Sequence, residues 1–478
     1  MYTDLLTAID ATDPSGRAIP DPATGEVIGH APEQGVDDLD RAVDAATTAQ
    51  PGWEALGHEE RSRLLRAAAD AVDAHAEDLA QLLTRETGKP LNGPNARMEV
   101  AMCGDWLRAT AGFETPGETL VSEPGNAGDG GDTGDTGAHA TLAYEPIGVV
   151  GAIGPWNWPL MITVWQVAAA LRMGNTAVVK PSEYTPLSVL SLVHVLNQAL
   201  PDGVLHVVSG GRDVGARLSG HPGIGKIMFT GSIPTGRAIA AAGAGTLKRL
   251  TLELGGNDPA IILDDCDPAA IAEDLFWGAF INTGQTCAAV KRVYATDAVY
   301  DDLCAALAEI AAAVPMGPGT DEDNVLGPLQ NPAQFRIVAD LVDAARDAGA
   351  RILTGGDPAG GPGNFYPATI VSDVASDNPL VVEEQFGPAL PIVRVRDADE
   401  AVALANSLDV GLGASVWSAD RDRALEVARR VRAGTVWING HAKPDPRIPF
   451  GGIKQSGYGL EFGAEGLKAV AVPKVYNG

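Results

Sequence analysis

Cysteine is scarce. Cys103, Cys266, Cys287 and Cys304 are the only four. They stand apart without metal-type spacing, which argues against a disulfide scaffold or a metal site and fits a reducing cytoplasm. Long apolar runs are also missing. Hydrophobic residues make up 45% of the chain, but no run reaches the ~18 residues that a membrane span needs. The N-terminus, MYTDLLTAIDATDPSG, has no basic region leading into an apolar stretch, so no signal peptide is expected. Positive charge is in deficit: 34 Lys and Arg face 62 Asp and Glu, a formal net charge of −28. Lysine is confined to Lys89, Lys180, Lys226, Lys248, Lys291, Lys443, Lys454, Lys468 and Lys474. Such a surface repels nucleic acid and anionic membrane, which removes both as partners. It fits a halophilic protein in a salt-rich cytoplasm, where screening is nearly complete. An ordinary acidic protein is the alternative.

What is present suggests several domains. At ~150 residues per domain, 478 residues predict two or three with ample buried surface. Residues 35–50 read as a helix with Leu39, Ala42, Val43 and Ala46 on one face, ended by Pro51-Gly52. Residues 58–86 read as one longer helix, closed by Gly88 and Pro90. The stretch 123–138, EPGNAGDGGDTGDTGA, is low-complexity Gly and Asp and predicts an exposed, mobile insertion. Asp129, Asp132 and Asp135 there are spaced to hold a cation, but no closing carboxylate-rich element follows, which favours a solvated loop.

From 146 to 263 the pattern becomes strand–turn–helix. Strands read at 147–153, 177–179, 204–208, 227–229, 250–252 and 260–263. They are short, apolar and β-branched, as strands buried on both faces are. Thr185 reads as a helix N-cap before Pro186. This predicts a doubly wound α/β fold. Residues 264–440 predict a second α/β region, with helices at 268–279, 298–313, 332–348 and 420–432 and strands at 351–353, 390–394, 414–417 and 434–438. Ala469–Val472 reads as an edge strand. Two turns are placed for chemistry: Lys180-Pro181-Ser182-Glu183 at a strand end, and FTGSIPTG (Phe229–Gly236), where Gly231 and Ser232 precede a helix. Ligands bind at the carboxyl ends of strands in such sheets, and a helix N-terminus receives phosphate. FTGSIPTG is not the usual GxGxxG, and alone it is compatible with an ordinary glycine turn.

The stretch FINTGQTCAAVKR (280–292) carries Cys287. A thiolate adds readily to a carbonyl carbon. At the start of a helix its pKa would be lowered by backbone N–H groups and the helix dipole. A buried structural cysteine is the competing reading. Four further stretches carry polar residues that folding does not require: PWNWP with Asn157, LELGGN with Glu253, EEQFGP with Glu384 and Phe386, and PFGGIKQSG. Each has a local explanation, as a cap, a solvated strand end or a turn.

Taken in order, these stretches resemble the NAD(P)-dependent aldehyde dehydrogenase superfamily, of the non-acylating, hydrolytic type. The likeness starts at DPATGEVIG (21–29) and ETGKP (86–90). It continues through GPWNWPL, KPSE, FTGS, ELGGN, NTGQTC, EEQFGP and PFGGIKQSG, nearly the whole chain. The resemblance implies a Rossmann-like NAD-binding domain over 1–120 and 145–254 and a catalytic domain over 255–445. It also implies a small β oligomerisation extension from 121–144 and 446–478, in a homodimer or homotetramer. Cys287 is then the nucleophile, and the Asn157 amide with the Cys287 N–H forms the oxyanion hole. Glu253 is the base for thioester hydrolysis, and Glu461, in GLEFG, belongs to a proton relay. Lys180, Ser182 and Glu183 meet the adenosine end of the cofactor, and the Glu183 carboxylate favours NAD over NADP without excluding it. Gly231 and Ser232 meet the pyrophosphate with Trp156 nearby. Glu384 binds the nicotinamide ribose, with Phe386 alongside.

Gln166 stands where many members of the family have Lys, which alters the proton path through Glu461. Asn257 replaces another frequent Lys, with little consequence expected. A CoA-acylating enzyme is a second reading, opposed by Glu253. A non-catalytic relative is a third, opposed by the joint presence of Cys287, Asn157 and Glu253. Trp158, Met161, Trp165 and Phe280 are expected to line the entrance and to suit an apolar or aromatic aldehyde.

Overall fold

The computed structural model describes residues 1–122 and 139–477. The stretch 123–138, with Asp129, Asp132 and Asp135, lies outside the described residues. No helix among the described residues is long and apolar enough to cross a membrane.

A six-stranded sheet is built around Val149–Ile153. Thr176–Lys180 and then Leu205–Val207 lie on one side, and Lys226–Gly231 and then Arg249–Leu254 on the other, all parallel. Strand order therefore reverses between Val149–Ile153 and Lys226–Gly231. At such a switch point the two connections leave in opposite directions and open a crevice at the carboxyl ends. The carboxyl ends here are Ile153 and Gly231. Every residue of Val149–Ile153 and Thr176–Lys180 is buried, which is why these strands read as unbroken apolar runs. Gly457–Tyr458 adds an antiparallel edge against Arg249–Leu254.

The second sheet has seven strands, in the order Arg351–Thr354, Thr369–Ser372, Ala389–Val395, Val290–Thr296, Asp258–Ile262, Gly413–Trp417 and Thr435–Ile438. Only Arg351–Thr354 is antiparallel to its neighbour. A third sheet pairs Ala471–Asn477 with His139–Pro146, and the latter with Gly117–Ser122.

Several expectations need correction. The first long helix runs Val36–Ala55, through Pro51. Its last turn is held from outside, because buried Trp53 donates from Nε1 to the Leu171 carbonyl at 3.0 Å. The expected helix over 58–86 is two helices, Gly57–Ala74 and Ala76–Thr87, broken at His75. The strand expected at Ala469–Val472 begins at Ala471, after the helix Gly463–Ala469. Val290–Thr296, central in its sheet and buried throughout, escaped the sequence reading because Lys291-Arg292 looks solvated. Both side chains are buried. Arg292 donates to the carbonyls of Asn257, Leu404 and Ala405 and to the Tyr294 hydroxyl, so its burial leaves few unmet donors.

Two helices aimed at the crevice are capped by buried glutamates from distant segments. Thr185 occupies the N-cap position but makes no side-chain cap. Glu86 accepts instead from Leu187 N at 2.6 Å and Ser188 N at 2.9 Å. Glu99 does the same for Pro159–Arg172, accepting from Leu160 N at 2.9 Å and Met161 N at 3.1 Å. A carboxylate at a helix N-terminus satisfies donors that have no partner within the helix and complements the dipole.

Candidate active site

The segment 281–289 joins the helix Pro268–Phe280 to the strand Val290–Thr296. Asn282 (φ 51°), Thr283 (φ 56°) and Gly284 (φ 75°) are successively left-handed, which costs L-residues about 1–3 kcal/mol each. Tertiary contacts hold this bend. Asn282 Nδ2 donates to the Asn157 carbonyl at 2.9 Å. Asn157 Nδ2 donates to the Gln285 carbonyl at 2.9 Å. Trp158 Nε1 donates to Thr286 Oγ1 at 2.9 Å, and Gln285 Oε1 accepts from Gln330 N at 2.9 Å. A Cβ on Gly284 would overlap the Gly387 carbonyl, so the Cys loop and the EEQFGP turn meet only because that position is glycine.

Cys287 is half-buried and unpaired. The expectation that it starts a helix is wrong, because the chain passes from the bend into a strand. No helix dipole lowers its pKa. Burial pushes the thiol up to about 12, against the pull of the nearby Lys291 ammonium. Lys291 donates to the carbonyls of Thr286, Cys287 and Ala289, so it holds the loop as well as supplying charge.

Two cavities meet at this thiol. One, of about 260 Å³, is lined by Met98, Met102, Trp158, Met161, Trp165, Ile281, Trp437, Phe450 and Phe462 among others. It is almost wholly apolar. The other, of about 570 Å³, is lined by Trp156, Asn157, Ser182, Gly231, Ser232, Glu253, Glu384 and Phe386. Among the described residues Cys287 alone lines both. A recess of about 540 Å³ with Lys180, Glu183 and Arg212 shares Pro234 and Thr235 with the second cavity. The structure thus gathers the expected residues into one extended groove, apart from Glu461, which lines none of these cavities.

Phe280 does not line the apolar cavity. It is buried and stacked on Phe276 at 4.5 Å, on the helix face turned to the second sheet's core. Phe450, Phe462, Trp437, Met98 and Met102 take that place unannounced by the sequence, since they come from three distant segments. Arg212 was also missed, although the Gly210-Gly211 turn after a strand marks its helix start.

The aldehyde dehydrogenase family model matches residues 10–476. An aldehyde dehydrogenase from a Fusarium species is 40% identical over 94% of this chain and 92% of its own length. A phenylacetaldehyde dehydrogenase from Pseudomonas fluorescens is 38% identical over 94% and 89%. The solved NAD+ complex of an aldehyde dehydrogenase from Bacillus cereus superposes with TM-score 0.90 at 34% identity, covering 96% of this chain and 92% of the other. The chain belongs to the aldehyde dehydrogenase family. It is an oxidoreductase acting on aldehydes.

Two buried carboxylates of this aldehyde dehydrogenase act on each other, and one of them, Glu253, lines the groove with Cys287. Glu253, on Arg249–Leu254, is 5% exposed, and neither of its oxygens has a partner among the described residues. Burial, then the charge of Glu461, pushes its pKa well above the usual carboxylate range. Glu461 is held by a two-way backbone bridge to Phe450. Burial pushes it to about 7, against the pull of Lys226. Lys226 donates to Thr251 Oγ1 at 2.7 Å, and burial lowers its pKa to about 8. Gln166 Nε2 donates to Thr230 Oγ1 at 3.2 Å, while its Oε1 has no partner among the described residues.

At the cleft, Trp156 stands edge-on to Phe386, centroids 5.3 Å apart. Glu384 accepts from Gly256 N at 3.2 Å, and burial pushes it to about 7. A Cβ on Gly255 would strike its carboxylate. Ser232 is the N-cap of the helix Ile233–Ala244 and accepts from Thr235 N at 3.4 Å. A Cβ on Gly231 would lie 2.5 Å from the Phe229 ring. Lys180 Nζ donates to the Pro181 carbonyl at 3.0 Å, and Ser182 Oγ accepts from Tyr184 N at 3.2 Å.

Proposed function

We propose that the enzyme oxidises an apolar or aromatic aldehyde to its carboxylic acid with NAD, using Cys287 as nucleophile. The reading rests on one observation: among the described residues Cys287 alone is shared by the apolar cavity and the polar groove. An aldehyde seated against Trp158, Trp165, Trp437, Phe450 and Phe462 would present its carbonyl to the thiol from one side. The groove would present the cofactor from the other.

The groove suits a dinucleotide. The helix Ile233–Ala244 opens onto it with Ser232 and Gly231, a place for a pyrophosphate. Lys180 and Glu183 would take the adenosine ribose. Glu384 would take the nicotinamide ribose, close to the Trp156–Phe386 pair. Glu183 is exposed, and Arg212 lines the same recess. Repulsion of a 2′-phosphate is therefore screened, and NADP remains usable. When bound, the nicotinamide supplies the hydride acceptor.

The thiol releases its proton to solvent in the groove and Sγ adds to the aldehyde carbon. Asn157 Nδ2 keeps one N–H on the Gln285 carbonyl and has a second for the oxyanion, together with the Cys287 N–H. Loss of hydride from that carbon leaves a thioester on Sγ. Glu253 and Glu461 cannot both ionise cheaply when buried together, so one proton resides on the pair at neutral pH. Once the shared proton passes from Glu253 to Glu461, the ionised Glu253 takes a proton from water, the hydroxyl oxygen attacks the acyl carbon, and the C–S bond breaks to release the acid. Lys226 favours the ionised form of Glu461 and so eases proton release.

The outer strands Gly117–Ser122 and Ala471–Asn477 leave Leu120, Val121, Val475 and Tyr476 exposed. This supports the expected homodimer or homotetramer, which sedimentation would count. A cytoplasmic location belongs to the same reading. The test of function is NADH formation over a panel of aldehydes, with and without CoA, for wild type and Cys287→Ser. Turnover on arylalkyl aldehydes without CoA, lost in the variant while NAD still binds, supports it. Turnover only with CoA, or retained in Cys287→Ser, overturns it.

A further inference from the structure

We infer that the buried Lys89–Glu99 pair is a positioning device for Asn157. The proposal rests on the oxyanion reading of Asn157 and extends it. Both side chains are fully buried and paired at 2.5 Å, and neither lines either cavity at Cys287. A buried ion pair is no stability device in itself, because apolar residues of the same volume serve as well. This one touches the backbone that carries the proposed oxyanion amide. Lys89 Nζ donates to the Asn157 carbonyl at 2.7 Å and lies 3.8 Å over the Trp158 ring. Glu99 spends its other oxygen on Leu160 N and Met161 N, at the start of the next helix.

The pair therefore grips the segment on both sides of Asn157, at the residue's own carbonyl and at the helix that follows. Asn282 Nδ2 is the second donor to that carbonyl. Lys89 comes from the ETGKP turn and Glu99 from the helix Ala96–Gly112, so the grip ties Asn157 to the scaffold, while Asn282 and Gln285 tie it to the Cys loop. Removing Lys89 frees the carbonyl on the scaffold side and leaves Glu99 without its cation. The Asn157 amide then shifts relative to Cys287. A misplacement of about 1 Å reduces rate by about 100-fold.

The test is a double-mutant cycle on kcat/KM with Lys89→Met and Asn157→Ala. Lys89→Met is expected to lower kcat by about 10–100-fold. NAD affinity, aldehyde KM and the rate of Cys287 alkylation should stay within about threefold. In the Asn157→Ala background the same change should have almost no further effect, since the amide it positions is gone. Glu99→Gln, which keeps the shape and one acceptor, stands in if Lys89→Met does not fold, and is expected to show the same non-additivity. Losses that multiply in the double variant, or that fall equally on NAD binding, assign the pair a merely structural role and overturn the proposal. Full turnover in Asn157→Ala would instead sink the oxyanion reading itself, and the proposal with it.

Discussion

Asn282 Nδ2 lies 2.9 Å from the main-chain oxygen of Asn157, a residue 125 positions earlier in the chain. Asn157 returns the contact through its own amide to Gln285. The proposed nucleophile and oxyanion donor therefore sit on two segments that hold each other in register. The strain of the left-handed bend at Asn282 and Thr283 is borne by these bonds.

That relationship predicts the outcome of Asn282→Gly. Glycine accepts φ 51° without strain, so the fold should survive, with an unfolding midpoint close to wild type. The contact to Asn157 is lost, and kcat/KM should fall by about 10–100-fold. Steady-state kinetics beside a thermal melt checks this. Unchanged kinetics would mean that the bend holds its place without Asn282.

The buried carboxylates predict a pH dependence. Glu461 is pushed to about 7 and Glu253 well above its usual range by burial and by Glu461. Because a general base must be ionised, activity should rise with pH through an acidic limb that lies above the usual carboxylate range. Glu461→Gln removes the like charge that raises Glu253, so the limb should move down, and the plateau rate should fall with the relay. A limb that stays in place would separate the two groups.

The same shifts bear on stability. Glu86, Glu384 and Glu461 are each raised by burial to about 7 from the ordinary glutamate value of 4.5. The folded state binds these protons more tightly than the unfolded chain. Their contribution is full below about 4.5 and is lost as pH rises through about 7. Denaturant melts of Glu86→Gln should show less loss of stability than wild type between those values.

Cofactor choice should respond to Glu183. Its carboxylate is exposed, so it contributes only the ~1 kcal/mol of a unit charge a few ångströms away in water. Glu183→Gln should raise NADP kcat/KM relative to NAD by about fivefold. A change of a hundredfold would require a stronger discriminator elsewhere in the recess.

Net charge sets the response to salt. With a formal charge of −28, mutual repulsion of exposed carboxylates should make the unfolding midpoint climb from low to molar KCl as screening grows. Indifference to salt would mark an ordinary acidic protein.

Local residue pattern by itself determined the alternation of strands and helices and the glycine turns at the carboxyl ends. It also marked the sparse polar residues Asn157, Glu253, Cys287 and Glu384. Those signals survive because period, turn chemistry and strand burial act over a few residues. The tertiary structure alone decided the rest. It put a strand, not a helix, after Cys287, and so left its thiol high. It buried Lys291 and Arg292 by surrounding them with carbonyls. It moved Phe280 into a core and brought Phe450 and Phe462 to the apolar cavity at Cys287. It set Glu461 beside Glu253 and Lys89 beneath Asn157. Each of these depends on which groups from distant segments meet in a low-dielectric interior, and the energy of a buried charge or an apolar wall is a property of that meeting, not of the residue.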